Sequence, residues 1–105
     1  MTSHPQDFSD CQLTELPAAV FDLTGLIELS LAGNQLQTLP ADISKLTGLK
    51  KLVLAGNLFT QLPVELFGLT SLEGLWVHGN LLQEMPQQLG QLTKLKNLSL
   101  AGGCA

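Results

Sequence analysis

The chain has 105 residues, a formal net charge of −4 and 25 leucines. That length fits one domain, and no stretch reaches the roughly 20 apolar residues that a membrane span needs. All five basic residues are lysines in small groups, so the basic patch that binds nucleic acid or an anionic membrane surface is missing.

The first ten residues form a polar segment. Met1 to Asp10 contains no apolar stretch of the kind found in a signal peptide. We therefore expect a cytoplasmic protein, unless a leader has been removed. Because Pro5 cannot donate a backbone hydrogen bond, it suits an edge strand, and residues 1–10 are predicted to cover the start of the fold.

Three copies of one phrase follow at intervals of 23 residues. They are Leu-Ser-Leu-Ala-Gly-Asn, Leu-Val-Leu-Ala-Gly-Asn and Leu-Trp-Val-His-Gly-Asn, and they end at Asn34, Asn57 and Asn80. A fixed period of this size indicates a solenoid. Within each phrase two apolar residues flank one that faces outward, which predicts a β-strand with one buried face.

The asparagines that end these phrases have a structural explanation. An asparagine side chain donates and accepts hydrogen bonds, so a stack of them can satisfy buried backbone groups where each coil leaves its strand. Cys11 occupies this position in the degenerate first repeat. We predict a structural ladder of Cys11, Asn34, Asn57 and Asn80.

The segments that return the chain to the next strand carry one proline each, at Pro17, Pro40, Pro63 and Pro86. A missing amide and a fixed φ do least harm where the chain crosses to the convex side. Because these segments are short, we predict 3-10 turns or brief α-helices there.

The last repeat, residues 95–105, is truncated. It begins with Leu95, Leu98 and Leu100, but Gly103 stands where the next asparagine is expected. We expect an open hydrophobic edge, which favours pairing. The chain would then be part of a longer array, associate with itself, or dock into a larger assembly.

The whole pattern, L-x-x-L-x-L-x-x-N/C-x-L, resembles the leucine-rich repeat over roughly residues 8–105. Its continuation, Leu-Pro-x-x-(Ile/Leu/Val)-x-x-Leu-Thr, is similar to the repeats of plant intracellular Ras-group, Ras-suppressor and Scribble-type proteins. The resemblance implies a single α/β solenoid domain, residues 1–105, of about four and a half repeats. Its parallel strands line the concave face and its short helices or 3-10 turns the convex face.

Two smaller predictions come from the repeat register. Lys50, Glu73 and Lys96 share one repeat position and are expected to form a charge ladder on the surface. Cys11 and Cys104 lie four coils apart, about 19 Å at the usual strand spacing, so we expect no disulfide between them.

Trp76 is the most informative residue of the concave face, where small side chains dominate. It is the only tryptophan of the chain, and the register points it outward beside Val53. An exposed aromatic residue in an apolar patch commonly marks a partner site; the alternative is that its ring lies flat on its neighbours and only fills space. The predicted partner-binding residues are Val53, Trp76, His78, Leu58, Leu81, Glu28 and Lys51.

The sequence contains no pattern typical of catalysis or of metal binding. His4 and His78 have no cysteine, aspartate or glutamate at metal-ligand spacing. No Ser/His/Asp, Cys/His or phosphate-loop motif occurs, so we expect no enzyme, no cofactor and no metal.

The leading hypothesis is a protein–protein interaction module or scaffold that binds on its concave face. The similar families imply small GTPases or signalling scaffolds as partners. The alternative is a small structural accessory subunit docked in a larger assembly.

Overall fold

The computed structural model describes residues 6–83 and 87–99, and these form one parallel sheet backed by 3-10 helices. The strands lie side by side in chain order: β1 (Gln6–Asp7), β2 (Glu28–Ser30), β3 (Lys51–Val53), β4 (Gly74–Trp76) and β5 (Asn97–Ser99). Each of the first four strands is followed by a crossing segment that contains one 3-10 helix: η1 (Ala18–Asp22), η2 (Ala41–Lys45), η3 (Val64–Gly68) and η4 (Gln87–Gln91). The predicted repeat solenoid is therefore confirmed.

The strand register reproduces the 23-residue period. Leu29 pairs with Leu52, Leu52 with Leu75 and Leu75 with Leu98. The neighbouring outward positions align in the same way across all five strands, and they are Asp7, Ser30, Val53, Trp76 and Ser99. Because side chains alternate between the two faces of a strand, this one register decides both what is buried and what faces the concave surface.

The core is a stack of apolar layers, one from each coil. The leucines at equivalent positions, such as Leu29, Leu52 and Leu75, are at most 1% exposed. Phe59 is the largest of the fully buried side chains. Towards the last coil Leu89 and Leu95 are only partly buried, and Leu98 is 39% exposed.

The convex segments are 3-10 helices that begin directly after a proline. Pro17, Pro40 and Pro63 precede η1, η2 and η3, as the spacing of the prolines predicts. Their missing amides cost nothing at the start of a helix, where the first N–H groups have no partner within the helix. Pro86 lies outside the described residues.

Asn34, Asn57 and Asn80 are stacked in successive coils and buried, with 6%, 3% and 7% exposure. The Asn57 amide donates to the carbonyl oxygen of Leu31 in the preceding coil at 2.8 Å and to that of Leu54 in its own coil at 3.0 Å. Within the described residues, no buried side-chain nitrogen or oxygen lacks a hydrogen-bond partner.

Cys11 shares the position of the asparagines but not their role. It is exposed and carries no disulfide, and its thiol contacts the carbonyl oxygen of Ser9 at 3.5 Å. A thiol is a weaker hydrogen-bonding group than a carboxamide. Cys11 therefore joins the ladder through its backbone amide, which donates to Asn34 Oδ1 at 3.0 Å. Cys104, with which we expect Cys11 to form no disulfide, lies outside the described residues.

The three residues of the predicted charge ladder are stacked through their backbones, but their side chains do not form ion pairs in the described part of the chain. The amides of Glu73 and Lys96 donate to the carbonyl oxygens of Lys50 and Glu73 at 2.8 and 2.7 Å, so the three residues are stacked as expected. Among the described residues, however, no ion pair joins them; the cross-strand pair is Glu28–Lys51 at 3.4 Å, one position later. A surface ion pair gains so little energy in water that stacking alone does not bring two long side chains together.

A column of left-handed residues turns each coil off its strand. Gly33, Gly56 and Gly79 have φ angles of 70°, 70° and 73°, and Asp10 takes the same position in the first coil with φ 57°. A Cβ atom added at Gly56 would lie 3.3 Å from the backbone nitrogen of Gly33. Glycine fits this column because it has no side chain to clash with the coil before it.

We expect Gly56→Ala to lower the free energy of unfolding by about 1 to 2 kcal/mol, the usual cost of placing an L side chain in the left-handed region. Gly68→Ala is the matched control, because a Cβ atom there meets no heavy atom within 4 Å and Gly68 does not have a positive φ. Urea unfolding followed by circular dichroism measures both. Equal midpoints for the two variants would contradict this account of the column.

Candidate partner-binding groove

The concave face contains a groove of about 610 Å³ that runs across strands β1 to β4. It exists because the outward positions of the middle strands carry small side chains, which leave space above the sheet. Its lining residues are Asp7, Glu28, Leu29, Ser30, Ala32, Lys51, Val53, Ala55, Trp76 and His78.

Trp76 forms the wall of the groove on the side of β4. Its side chain is half-buried on the concave face, as the register predicts. Its six-membered ring lies over Gly74, two residues earlier on the same strand, so that a Cβ atom at position 74 would collide with ring atoms Cη2 and Cζ3. The buried Gly74 therefore leaves the space that the ring occupies, and Trp76 lines the groove from this position.

The groove carries three charges in two rows of the sheet. Lys51 Nζ and Glu28 Oε2, at the amino-terminal ends of β3 and β2, are 3.4 Å apart, and the side chains are 53% and 41% exposed. Asp7 lies in the row of Ser30, Val53 and Trp76, and hydrogen bonds from the side chain and backbone amide of Ser9 hold the pKa of its carboxyl below the usual value. Asp7 is therefore ionised at neutral pH, and the lining includes two carboxylates and one ammonium group.

Hydroxyl and imidazole groups form hydrogen bonds at and just beyond the carboxyl-terminal ends of the strands. His78 Nδ1 lies 2.8 Å from the hydroxyl oxygen of Ser99, and the hydroxyl groups of Ser9 and Ser30 are 2.7 Å apart. In residues 6–83 and 87–99, no group of three or more His, Cys, Asp or Glu side chains could hold a metal ion. His78 thus acts as a hydrogen-bonding residue at the rim.

The structure brings five of the seven predicted partner-binding residues together. Leu58 and Leu81 are 39% and 56% exposed but do not line the groove. They follow the ladder asparagines, and their amides donate to the carbonyl oxygens of Leu36 and Phe59 at 2.9 and 2.8 Å. These bonds hold both leucines in a separate column beside the groove, which we call the flank leucines.

Five lining residues were not predicted as site residues: Asp7, Leu29, Ser30, Ala32 and Ala55. Leu29 belongs to the core, and the other four occupy outward strand positions in the same rows as Trp76 and His78, so counting along the repeat places them on this face. Small size, which creates the groove, gives no signal of binding by itself.

Comparison with known proteins agrees with this architecture. A family model described as leucine-rich repeat region matches residues 7–103. No curated protein matches the sequence.

Many solved structures resemble the chain, including the following three. An internalin from Listeria monocytogenes is 26% identical with a TM-score of 0.73, over 83% of this chain and 25% of that one. A leucine-rich repeat protein of Leptospira interrogans is 30% identical with a TM-score of 0.69, over 90% of this chain and 30% of that one. The leucine-rich repeat domain of APL1B is 21% identical with a TM-score of 0.85, over 95% of this chain and 30% of that one, a likeness of fold.

These relatives are larger, since the chain spans about a quarter to a third of their length. No helix in the described part of the chain has the length and apolar character to cross a membrane. Repeat solenoids generally offer their concave surfaces to other proteins. The match over nearly the whole sequence shows that the chain belongs to the leucine-rich repeat family, which in general serves protein interaction and not catalysis.

Proposed function

We propose that the chain is a protein-interaction module that binds its partner in the concave groove. The observation that carries this proposal is Trp76, an aromatic side chain that stands half-exposed over a groove of small residues. Tryptophan is enriched among the residues that dominate binding energy, and such residues lie in pockets from which water is excluded on binding. Val53 and Ala55 provide an apolar floor beside it.

The identity of the partner belongs to the same proposal. The similarity to Ras-group and Scribble-type repeats favours a small GTPase or a signalling scaffold, and a cytoplasmic location would suit either. Because fold does not determine function, the partner has to be identified by experiment.

A second candidate is a structural accessory subunit, and the flank leucines favour it. Leu58 and Leu81 are exposed large apolar residues, and such residues often lie in interfaces when they form a patch. A subunit of this kind would bury the flank and leave the groove unused. Leu58→Gln/Leu81→Gln would then abolish assembly, whereas the groove proposal predicts that this double variant still binds.

We expect Trp76→Ala to weaken partner binding by about thirtyfold or more, the effect of removing an aromatic hot spot. The loss of folding stability should be smaller than that of removing a fully buried aromatic residue, about 3 to 5 kcal/mol, because the side chain lies on the concave face and not in the core. Affinity purification from cells with wild-type and variant chains, followed by mass spectrometry, identifies the partner, and calorimetric titration then measures its affinity.

Val64→Ala is the matched control for this experiment. Val64 is an apolar residue of η3 on the convex side and is 65% exposed, so its loss should leave affinity unchanged. A Trp76→Ala chain that loses several kcal/mol of stability yet binds its partner normally would show that the ring only fills space.

A further inference from the structure

The charges of the groove lie on strands β1 to β3, on one side of Trp76, and they are not balanced. Asp7 lies on β1, the Glu28–Lys51 pair spans β2 and β3, and Trp76 lies on β4. Since Lys51 already contacts Glu28, the lining residues leave the carboxylate of Asp7 as the excess charge. The groove therefore has an acidic end and an aromatic end.

The strand register fixes the separation of these two ends. Asp7 pairs with Ser30, Ser30 with Val53 and Val53 with Trp76, so they are three strands apart in one row. At about 4.8 Å between neighbouring strands the separation is roughly 14 Å. An extended peptide advances about 3.3 Å per residue, so it covers this distance in about four residues.

A partner in the groove has to recognise side chains and not the strand backbone. The backbone amides that follow β2 and β3 already donate hydrogen bonds to the neighbouring strand. The amide of Leu31 donates to the carbonyl oxygen of Val53 at 2.8 Å, and the amide of Leu54 donates to that of Trp76 at 2.7 Å. Strand addition requires a free edge, and the floor of the groove has none. An extended segment must therefore lie across the strands, over the row of outward side chains.

We propose that the groove binds an extended partner segment in which an apolar side chain packs against Trp76 and Val53, and a lysine or arginine about four residues away pairs with Asp7. This inference rests on the proposed function and specifies its ligand. Charge complementarity carries it, because an acidic side chain at the far end of the segment would meet Asp7 and Glu28 and be repelled. A second copy of this chain is a poorer occupant, since each copy has a net charge of −4.

A library of random twelve-residue peptides displayed on phage, selected on the folded chain, tests the proposal. We expect the enriched peptides to share an apolar residue and a lysine or arginine three to five positions apart. Because Trp76 is the only tryptophan, its fluorescence measures the binding of synthetic, tryptophan-free versions of these peptides without a label.

Three variants then locate the contacts. Asp7→Asn should weaken binding about three- to fivefold and reduce its dependence on salt, as for an exposed ion pair. Asp22→Asn, an exposed carboxylate on η1 at the convex side, is the matched control and should change neither. Trp76→Ala, assayed by calorimetry, should abolish the binding of every enriched peptide.

The failure of this inference differs from the failure of the proposed function. Peptides that require Trp76 but have no basic residue, or that bind the Asp7→Asn chain unchanged, would overturn the inference and leave the groove as the binding site. Peptides that bind the Trp76→Ala chain unchanged, a selection that enriches no sequence, or occupation of the groove by a second copy in sedimentation experiments would overturn both.

Discussion

Replacing Asn57 with alanine will lower the free energy of unfolding by about 2 to 4 kcal/mol, because it leaves several buried backbone groups without full hydrogen bonding. Asn57 Oδ1 accepts from the amide of Leu36 at 3.1 Å, and Asn57 Nδ2 donates to the carbonyl oxygens of Leu31 and Leu54. Alanine can make none of these bonds, because its methyl side chain has no donor or acceptor.

The effect of Asn57→Ala is limited by sharing along the ladder. The carbonyl oxygen of Leu31 also accepts from Asn34 Nδ2 at 2.9 Å, and that of Leu54 also accepts from Asn80 Nδ2 at 2.8 Å. Each carbonyl oxygen therefore keeps one bond, and the main loss falls on the amide of Leu36, a fully buried residue. An unpaired buried donor costs about 1 to 3 kcal/mol.

The control for Asn57→Ala is Asn97→Ala. Asn97 lies on β5 and is exposed, so its side chain can be removed with a change within about 0.5 kcal/mol. Urea unfolding at constant temperature compares the two. If both variants unfold at the wild-type midpoint, the ladder does not stabilise the fold.

Replacing Phe59 with alanine will be the more damaging change, with a loss of about 3 to 5 kcal/mol, since it removes a large core side chain and leaves a cavity. Phe59 is fully buried at 0% exposure. Core side chains pack at nearly crystalline density, so the neighbouring coils cannot close the space without moving the sheet.

Phe59→Leu separates size from packing pattern at the same site. Leu36 and Leu82 hold the equivalent positions in the neighbouring coils and are 0% and 2% exposed. Leucine at position 59 continues that column, and the cost should stay below about 1.5 kcal/mol. A Phe59→Leu chain as unstable as Phe59→Ala would show that this coil, unlike its neighbours, requires an aromatic ring.

The period of the asparagines predicted most of the fold, because one physical constraint acts at every coil. Each coil must bury two strand leucines and satisfy the backbone at its turn, so the positions of Asn34 and Asn57 fix which residues are stacked. The pairing of Val53 with Trp76 follows from counting alone. Length and prolines predicted that the convex elements are 3-10 turns or brief α-helices, and the structure has 3-10 helices there.

The candidate groove could be predicted only in part, since counting gives stacking but not the convergence of side chains. The repeat register places Leu58 at an exposed position close to Trp76. However, the chain turns at Gly56, which has a left-handed conformation, so Leu58 lies beside the sheet with the flank leucines and not in the groove. The ion pair formed at Glu28–Lys51 and not at Lys50–Glu73 because side-chain direction decides between neighbouring rows.

The direction of the ladder bonds has a consequence for the newborn chain. The amides of Leu36 and Phe59 are satisfied by Asn57 and Asn80, each 21 residues later in the sequence. A coil leaving the ribosome therefore cannot complete its turn until the following coil has been synthesised. At about 5 to 20 residues per second, 21 residues take roughly one to four seconds, so during synthesis we expect each turn to be completed at least one repeat behind translation.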